Sequence, residues 1–230
     1  MKIFTNEKLI KRNARIGSIA NTTGLLVLVG VMVLSFMNPN YFNLYWVGLF
    51  LGFVLSQIGI FFRNRWGRKP RPDELLDQGL KGLNDQYSIY HYTTPVSHLL
   101  VGPSGLWVLM PYYQIGKITY EKKRYRQRGG GVVQRWLRLM GGEGIGRPEL
   151  DASSEVSSIT RYLKKNLPDS NLPDPQPIMV FTNENAELDV TEAPIMTVKL
   201  KELKNNIRKL AKEKPLPPEL ANQVNQLLAE

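Results

Sequence analysis

The sequence contains no cysteine and only two histidines among its 230 residues. The absence of cysteine excludes disulfide bonds, thiolate metal sites and a cysteine nucleophile. Acidic residues are scarce relative to basic ones, since 20 Asp and Glu stand against 30 Lys and Arg, for a formal net charge of +10. Such an excess suits nucleic acid, an anionic membrane surface, or the basic flanks that orient a membrane protein.

Charge is missing altogether from two long stretches near the start, residues 18–37 and residues 41–62. Each has close to the roughly 20 residues that cross a bilayer core as a helix, and the turn sequence Asn38-Pro39-Asn40 separates them. A signal peptide would have a shorter apolar core followed by a cleavage site of small residues. A buried hairpin of a soluble protein rarely has two uncharged runs of this length. We therefore predict a transmembrane helical hairpin over residues 18–62.

Basic residues flank the outer ends of this hairpin, and its turn has none. They are Lys2, Lys8, Lys11, Arg12 and Arg15 in the N-terminal segment 1–17, and Arg63, Arg65, Arg68, Lys69 and Arg71 in the linker 63–71. The positive-inside rule then predicts both termini and the soluble part in the cytoplasm, at the plasma membrane. In the second run, Gly48 and Gly52 form a GxxxG pattern, which allows close packing on the first helix or on another copy.

Residues 72–214 have the pattern of an α/β domain with a mixed sheet, and residues 215–230 have that of a C-terminal helix. The most apolar part is a pair of strands at residues 98–101 and 106–110, joined by the turn Gly102-Pro103-Ser104-Gly105. We expect this pair at the centre of the sheet, covered on both faces.

Pro111 follows the second of these strands and is expected to end its ladder pairing, because proline has no N–H to donate. A third strand is predicted over residues 114–120. The clearest helix of the domain is predicted from Pro148 to Leu167, and a basic helix from Lys199 to Lys212.

The segment from residue 117 to residue 138 is strongly basic and is the best candidate for binding. Its basic residues are Lys117, Lys122, Lys123, Arg124, Arg126, Arg128, Arg135 and Arg138. Glycines interrupt it, so we interpret it as a flexible excursion from the domain. Tyr120, Tyr125 and Trp136 are interleaved and are predicted to stack on bases if the ligand is nucleic acid. Anionic lipid headgroups are the rival ligand, and a solvated loop with surplus charge is the alternative to both.

The central stretch resembles the NERD (nuclease-related) domain, a branch of the PD-(D/E)xK nuclease superfamily. Residues 101–109, VGPSGLWVL, are similar to the family signature "hvvvgpsGvfvie", and Gly116-Lys117-Ile118 is similar to its "GkI". The resemblance covers about residues 72–210. It implies a restriction-endonuclease-like fold and a site in which carboxylates bind Mg²⁺ while a lysine supports the attacking water.

The sequence departs from the family at the residues that carry this chemistry. Ser97 stands where the family has Asp, and Met110 and Tyr112 stand where it has Glu and Lys. The helix acid of the family survives as Asp73 or Glu74. We therefore predict a retained fold without nuclease chemistry, metal or cofactor, which acts as a binding or scaffold module. The sequence does not identify a protein partner.

A metal-dependent nuclease, or a nucleic-acid-binding protein with a relocated site, is the alternative function. It requires carboxylates such as Glu121, Asp151 or Glu155 to join Asp73 or Glu74 beside Met110.

The two histidines, His91 and His98, both fall in predicted strands. We interpret them as core residues, with His98 the better candidate for contact with a ligand.

Overall fold

The structure is a computed structural model, and it describes residues 1–129, 144–168 and 170–229. The chain forms two compact units, one made of Asn6–Arg71 and the other of Met1–Thr5 together with Pro72–Glu230. The prediction of an apolar helical hairpin followed by a mixed α/β domain is confirmed at this level.

The smaller unit consists of two long helices, α1 (Glu7–Met37) and α2 (Phe42–Phe62), joined by the 3₁₀ turn Pro39–Tyr41. Both helices are long and apolar enough to cross a membrane. Large apolar side chains such as Leu26, Phe36 and Phe50 are exposed on their outer surface, which is unlike the core helices of a soluble protein. A short π-helical turn, Arg63–Gly67, follows α2.

The two helices pack along a seam of glycines. Side-chain atoms or backbone of the facing helix lie where a Cβ would be at Gly24, Gly48, Gly52 and Gly59. At Gly59 the obstruction is the backbone nitrogen of Asn21, 2.6 Å away. The GxxxG pattern therefore serves packing within the hairpin. At the closed end, the Tyr45 hydroxyl donates to the carbonyls of Leu34 and Asn38.

The larger unit is built on a six-stranded sheet with the strand order β1-β2-β3-β4-β7-β9. These strands are β1 Lys2–Thr5, β2 Ser88–His91, β3 His98–Gly102, β4 Gly105–Tyr112, β7 Gln176–Phe181 and β9 Met196–Lys199. The predicted hairpin, β3 with β4, lies at the centre of this sheet, as expected.

Apolar layers cover the sheet on both faces. One layer contains the helices α3 (Pro72–Leu80) and α5 (Leu200–Glu213), which pack on Ile89, Leu100 and Leu109. The other layer contains α4 (Pro148–Asn166), α6 (Pro218–Ala229) and a second sheet, which pack on Leu99, Val108 and Met110. Successive residues of a strand point to opposite faces, so β4 contributes alternately to the two layers.

Strand β1 is the part of the fold that no sequence pattern indicated. It precedes the apolar hairpin in sequence, yet it pairs in parallel with β2, in a register that runs from Lys2 opposite Ser88 to Thr5 opposite His91. The ring of Phe4 stacks on Tyr90 at 4.8 Å with an interplanar angle of 7°. The apolar hairpin is thus an insertion into the α/β domain, and the domain connects to it after Thr5 and before Pro72.

We expect Phe4→Ala to lower the free energy of unfolding of the α/β domain by about 2 kcal/mol, because it removes a stacked, half-buried ring. Ile3→Thr on the same strand is the matched control, since Ile3 is 49% exposed and its replacement should change stability by about 0.5 kcal/mol or less. Urea unfolding followed by pulse proteolysis of the full chain measures both. Equal effects of the two substitutions would show that β1 is not anchored through Phe4.

Strand direction defines two edges of the large sheet. Because β1, β2, β4, β7 and β9 all run the same way, their last residues form one edge, which we call the carboxyl edge, and their first residues form the opposite amino edge. Helix α3 begins at the carboxyl edge, where Asp77 contacts His91. The chain that follows it reaches the amino edge, where the carbonyl of Leu83 accepts a hydrogen bond from the nitrogen of Met1 (3.2 Å).

Pro111 does not end β4, and the prediction that it would is wrong. The ladder with β7 continues through Pro111, opposite Val180, to Tyr112, opposite Phe181. The carbonyl of Tyr112 accepts from the nitrogen of Thr182 at 2.8 Å, on the β7 side. The missing N–H of Pro111 therefore points away from β7, beyond the last pair formed with β3, so no ladder bond is lost.

The described part of the basic segment is ordered secondary structure, so the interpretation of residues 117–128 as a flexible excursion is wrong. β5 (Gly116–Glu121) and β6 (Arg124–Arg128) form an antiparallel hairpin, and β8 (Ala186–Asp189) pairs with β5 to complete a three-stranded sheet. Lys122 and Lys123 form the two-residue turn with φ of 52° and 58°, the left-handed values of a type I′ turn.

Candidate functional site

The three positions that depart from the nuclease-related pattern lie together at the carboxyl edge. The β3–β4 ladder pairs Leu99 with Val108, and continuing this register brings Ser97 next to Met110. Met110 is 7% exposed and belongs to the apolar layer of α4. Tyr112, two residues further on the same face, stacks on Phe181 with ring centroids 5.6 Å apart. This part of the edge is therefore a packed Met and Tyr surface.

The acids proposed to survive from the family site lie on the other side of the sheet. Asp73 is 2% exposed and precedes Leu76 and Leu80 on α3, which pack on the face opposite to Met110. Glu74 belongs to the same helix. This placement on the opposite face does not favour the convergence of carboxylates beside Met110 that the alternative nuclease function requires.

Carboxylates of α4, in contrast, lie near the Tyr112 ring. Burial raises the pKa of the Tyr112 phenol, and the negative charges of Asp151 and Glu155 raise it further. At neutral pH this position therefore holds a neutral hydroxyl, where the family has a positively charged lysine. The described ranges contain no group of three or more His, Cys, Asp or Glu side chains placed to hold a metal ion.

The described basic residues line an open groove between β6 and the start of α4. The groove has a volume of about 720 Å³ and is lined by Lys123, Arg124, Arg126, Arg128 and Arg147 among others. Arg124, Arg126 and Arg128 alternate along β6 and are all exposed, so they share one face of the strand at spacings of roughly 6.6 Å. Glu149 is an acid of the same groove.

Two acids offset part of this charge. Lys117 donates to Asp189 (2.8 Å), which raises the pKa of the ammonium. Arg128 pairs with Glu121 (2.7 Å). Lys122, Lys123, Arg124 and Arg126 form no ion pair within the described ranges, which makes them the free cations of the hairpin.

The two tyrosines of the hairpin pack against the apolar layer of α4. Tyr125 is 5% exposed, its ring lies at 5.0 Å from that of Tyr120, and its hydroxyl donates to the carbonyl of Ile195 (3.2 Å). This burial argues against Tyr125 as a residue that stacks on bases, whereas stacking on the half-buried Tyr120 stays a prediction. Arg135, Trp136 and Arg138 lie outside the described residues.

Three features were not found from the sequence. One is the pairing of Asp189 with Lys117, although Glu187 and Asp189 alternate as strand residues do. Another is Arg147, which lines the groove. The third is the direct contact between the two histidines, His91 and His98.

Comparison of the chain with models of protein families, with curated proteins and with solved structures found no match.

Proposed function

We propose that this chain is a membrane-anchored binding module whose α/β domain is a nuclease-related, restriction-endonuclease-like domain without nuclease chemistry. The observation that carries the proposal is the composition of the carboxyl edge. Ser97, Met110 and Tyr112 occupy the three positions of the family's Asp, Glu and Lys. A thioether and a neutral phenol neither hold Mg²⁺ nor stabilise a developing negative charge as carboxylates and lysine do.

The ligand is a linear polyanion, and nucleic acid is the one that we propose. The basis for this choice is the row of Arg124, Arg126 and Arg128, which are evenly spaced on one face of β6 and line the groove. A repeated charge along a chain matches such a row better than a single headgroup does. Because Tyr125 is buried and Tyr120 packs against the same apolar layer, we expect the arginines to contact phosphates, and phosphate contacts carry no sequence information.

Anionic lipid is the second candidate ligand. The anchor and the surplus of basic residues favour it. The even spacing of the arginines on β6 counts against it, because a single headgroup matches such a row less well than a linear polyanion does.

The anchor is proposed to be the α1–α2 hairpin, inserted with both ends on one side of the membrane. Thr5 and Pro72 belong to one folded unit, which requires an even number of crossings between them. The basic residues outside both helices favour the cytoplasmic side of the plasma membrane.

A relocated metal site is the alternative enzyme function. Asp151 and Glu155 are close enough to Tyr112 to act on its pKa, which favours it. Asp73 and Glu74 are on the opposite face of the sheet, which leaves such a site without the family's helix acid.

We expect the double variant Arg124→Gln plus Arg126→Gln to weaken binding of a single-stranded oligonucleotide about tenfold at 0.1 M salt. The slope of log K against log salt should fall by about 1.4, because each lost phosphate contact removes roughly 0.7 on single strands. Fluorescence anisotropy of a labelled 20-mer, with the full chain in zwitterionic nanodiscs, measures both.

Arg161→Gln plus Lys165→Gln on the exposed side of α4 is the charge-matched control and should leave the slope unchanged. A loss of affinity that is the same in both double variants would mean that net charge, and not the groove, carries binding. Binding to nanodiscs that contain phosphatidylserine without any binding to the oligonucleotide would assign the groove to lipid.

A further inference from the structure

Three polar side chains, His98, His91 and Asp77, form a row of hydrogen bonds on the α3 side of the large sheet, with both histidines buried and Asp77 27% exposed. The Nδ1 atoms of His91 and His98 are 2.8 Å apart, and the Nε2 of His91 is 3.1 Å from the Oδ1 of Asp77. The two histidines are 0% and 1% exposed. They are the only histidines of the protein, and the proposed binding groove uses neither.

These three side chains connect elements that precede and follow the apolar insertion in sequence. His91 is the last residue of β2 and lies opposite Thr5 of β1 and His98 of β3. Asp77 is on α3, the first helix after the insertion. The contacts therefore connect the β1–β2 pair, in which β1 precedes the apolar hairpin, to α3, which follows it.

The contact between the two Nδ1 atoms limits how many protons the pair can hold. Two neutral imidazoles carry one N–H each. The arrangement that satisfies Asp77 has His91 donating Nε2–H to the carboxylate and accepting, at Nδ1, the Nδ1–H of His98. The pair can take up one more proton and still keep a single N–H between its two Nδ1 atoms. A second one would place N–H groups on both Nδ1 atoms, and neither could then accept.

We propose that the His91–His98 pair makes the packing of β1, β2, β3 and α3 against one another acid-sensitive. The folded domain holds the pair with at most one proton more than two neutral imidazoles carry, and acid therefore weakens this packing. The titratable groups around the pair are Asp77, Asp73 one helical turn earlier on α3, and Tyr92, whose ring packs on His98 at 4.9 Å. β1 contributes Thr5 opposite His91, and continuing the β3–β4 register places Leu109 of β4 next to His98.

The sign of the effect follows from proton counts. Histidines in an unfolded chain titrate near pH 6.5, so both are largely protonated below about pH 5.5. The unfolded chain then binds about one proton more than the folded domain, or two more if the folded pair stays neutral. Stability rises with pH wherever the unfolded state binds more protons, so the α/β domain loses stability as the pH falls below about 6.5.

The test is the unfolding equilibrium of the α/β domain as a function of pH, measured on the full chain in detergent by urea titration and pulse proteolysis. The reference is the double variant His91→Gln plus His98→Gln, which reports the background from carboxylates. Between pH 6 and pH 4.5, the unfolding constant of the wild type should rise at least about tenfold more than that of the variant. Parallel curves would overturn the proposal.

A second measurement needs no variant. Nitrogen NMR of the wild-type imidazoles at pH 7 should show His91 protonated at Nε2 and His98 at Nδ1. Direct measurement of proton uptake on unfolding at pH 5 should give about one proton or more above the carboxylate contribution. No excess uptake, or two fully charged imidazoles in the folded protein, would contradict the proposed limit.

Discussion

Met110→Glu is expected to destabilise the α/β domain by roughly 3 kcal/mol or more. The substitution restores the family's acidic residue, but at a position that is 7% exposed and packed among the apolar residues of the α4 layer. A carboxylate there loses its water among apolar neighbours, and an uncompensated buried charge costs about 3–5 kcal/mol. Urea unfolding of the full chain measures the change.

Met110→Leu is the matched control, because it keeps the volume and the apolar character and should cost less than about 1.5 kcal/mol. The triple variant Ser97→Asp, Met110→Glu and Tyr112→Lys extends the comparison to the whole family pattern. We expect Mg²⁺ and Mn²⁺ to leave the thermal stability of this variant unchanged. An increase on addition of either ion would show that the carboxyl edge still has the geometry of a metal site.

Gly59→Leu is expected to disrupt the packing of α1 against α2. The backbone nitrogen and Cα of Asn21 lie 2.6 and 2.7 Å from the place of its Cβ, so the helices must separate to accept any side chain. Overpacking of this kind typically costs about 1–3 kcal/mol and more when backbone is in the way. The temperature at which the purified full chain ceases to elute as a single species in detergent measures the loss.

Gly30→Leu provides the control within the same hairpin, because no atom lies within 4 Å of the Cβ position at Gly30. It should behave as the wild type does, since a leucine on the outer surface faces only detergent or lipid. If the two variants lost stability to the same extent, the glycine seam would not be what holds the helices together.

The central hairpin of the sheet was predictable because its signals are local. The apolar runs and the Gly102–Gly105 turn are contiguous in sequence, and they set the strands, the turn and the register without help from the rest of the chain. The two-residue spacing of Met110 and Tyr112 also places them on one face of the strand.

The β5–β6 hairpin was missed because its turn lacks the usual chemistry. Type I′ turns favour Asn and Gly, whereas Lys122 and Lys123 adopt left-handed φ at a cost of about 1 kcal/mol each. Contacts distant in sequence offset that cost, among them the Tyr125 hydroxyl on Ile195 and the Lys117 pair with Asp189.

Strand β1 and the histidine pair were missed for a related reason. Four residues of mixed character give no periodic signal, and β1 finds its partner, β2, more than eighty residues away, beyond the apolar insertion. His91 and His98 are separated by a turn, and only the antiparallel register places them opposite each other. The packing of α3 likewise decides on which face of the sheet Asp73 lies, and local sequence does not indicate that packing.

The oligonucleotide titration, repeated with Mn²⁺ and followed on a gel, tests the central claim most directly. The full chain in zwitterionic nanodiscs is mixed with a labelled single strand, and bound and intact fractions are read from the same samples. The predicted result is salt-dependent binding that the Arg124→Gln plus Arg126→Gln variant weakens, with the strand intact after prolonged incubation. Metal-dependent cutting that persists in the highly purified protein and is abolished by Asp151→Asn plus Glu155→Gln would contradict it.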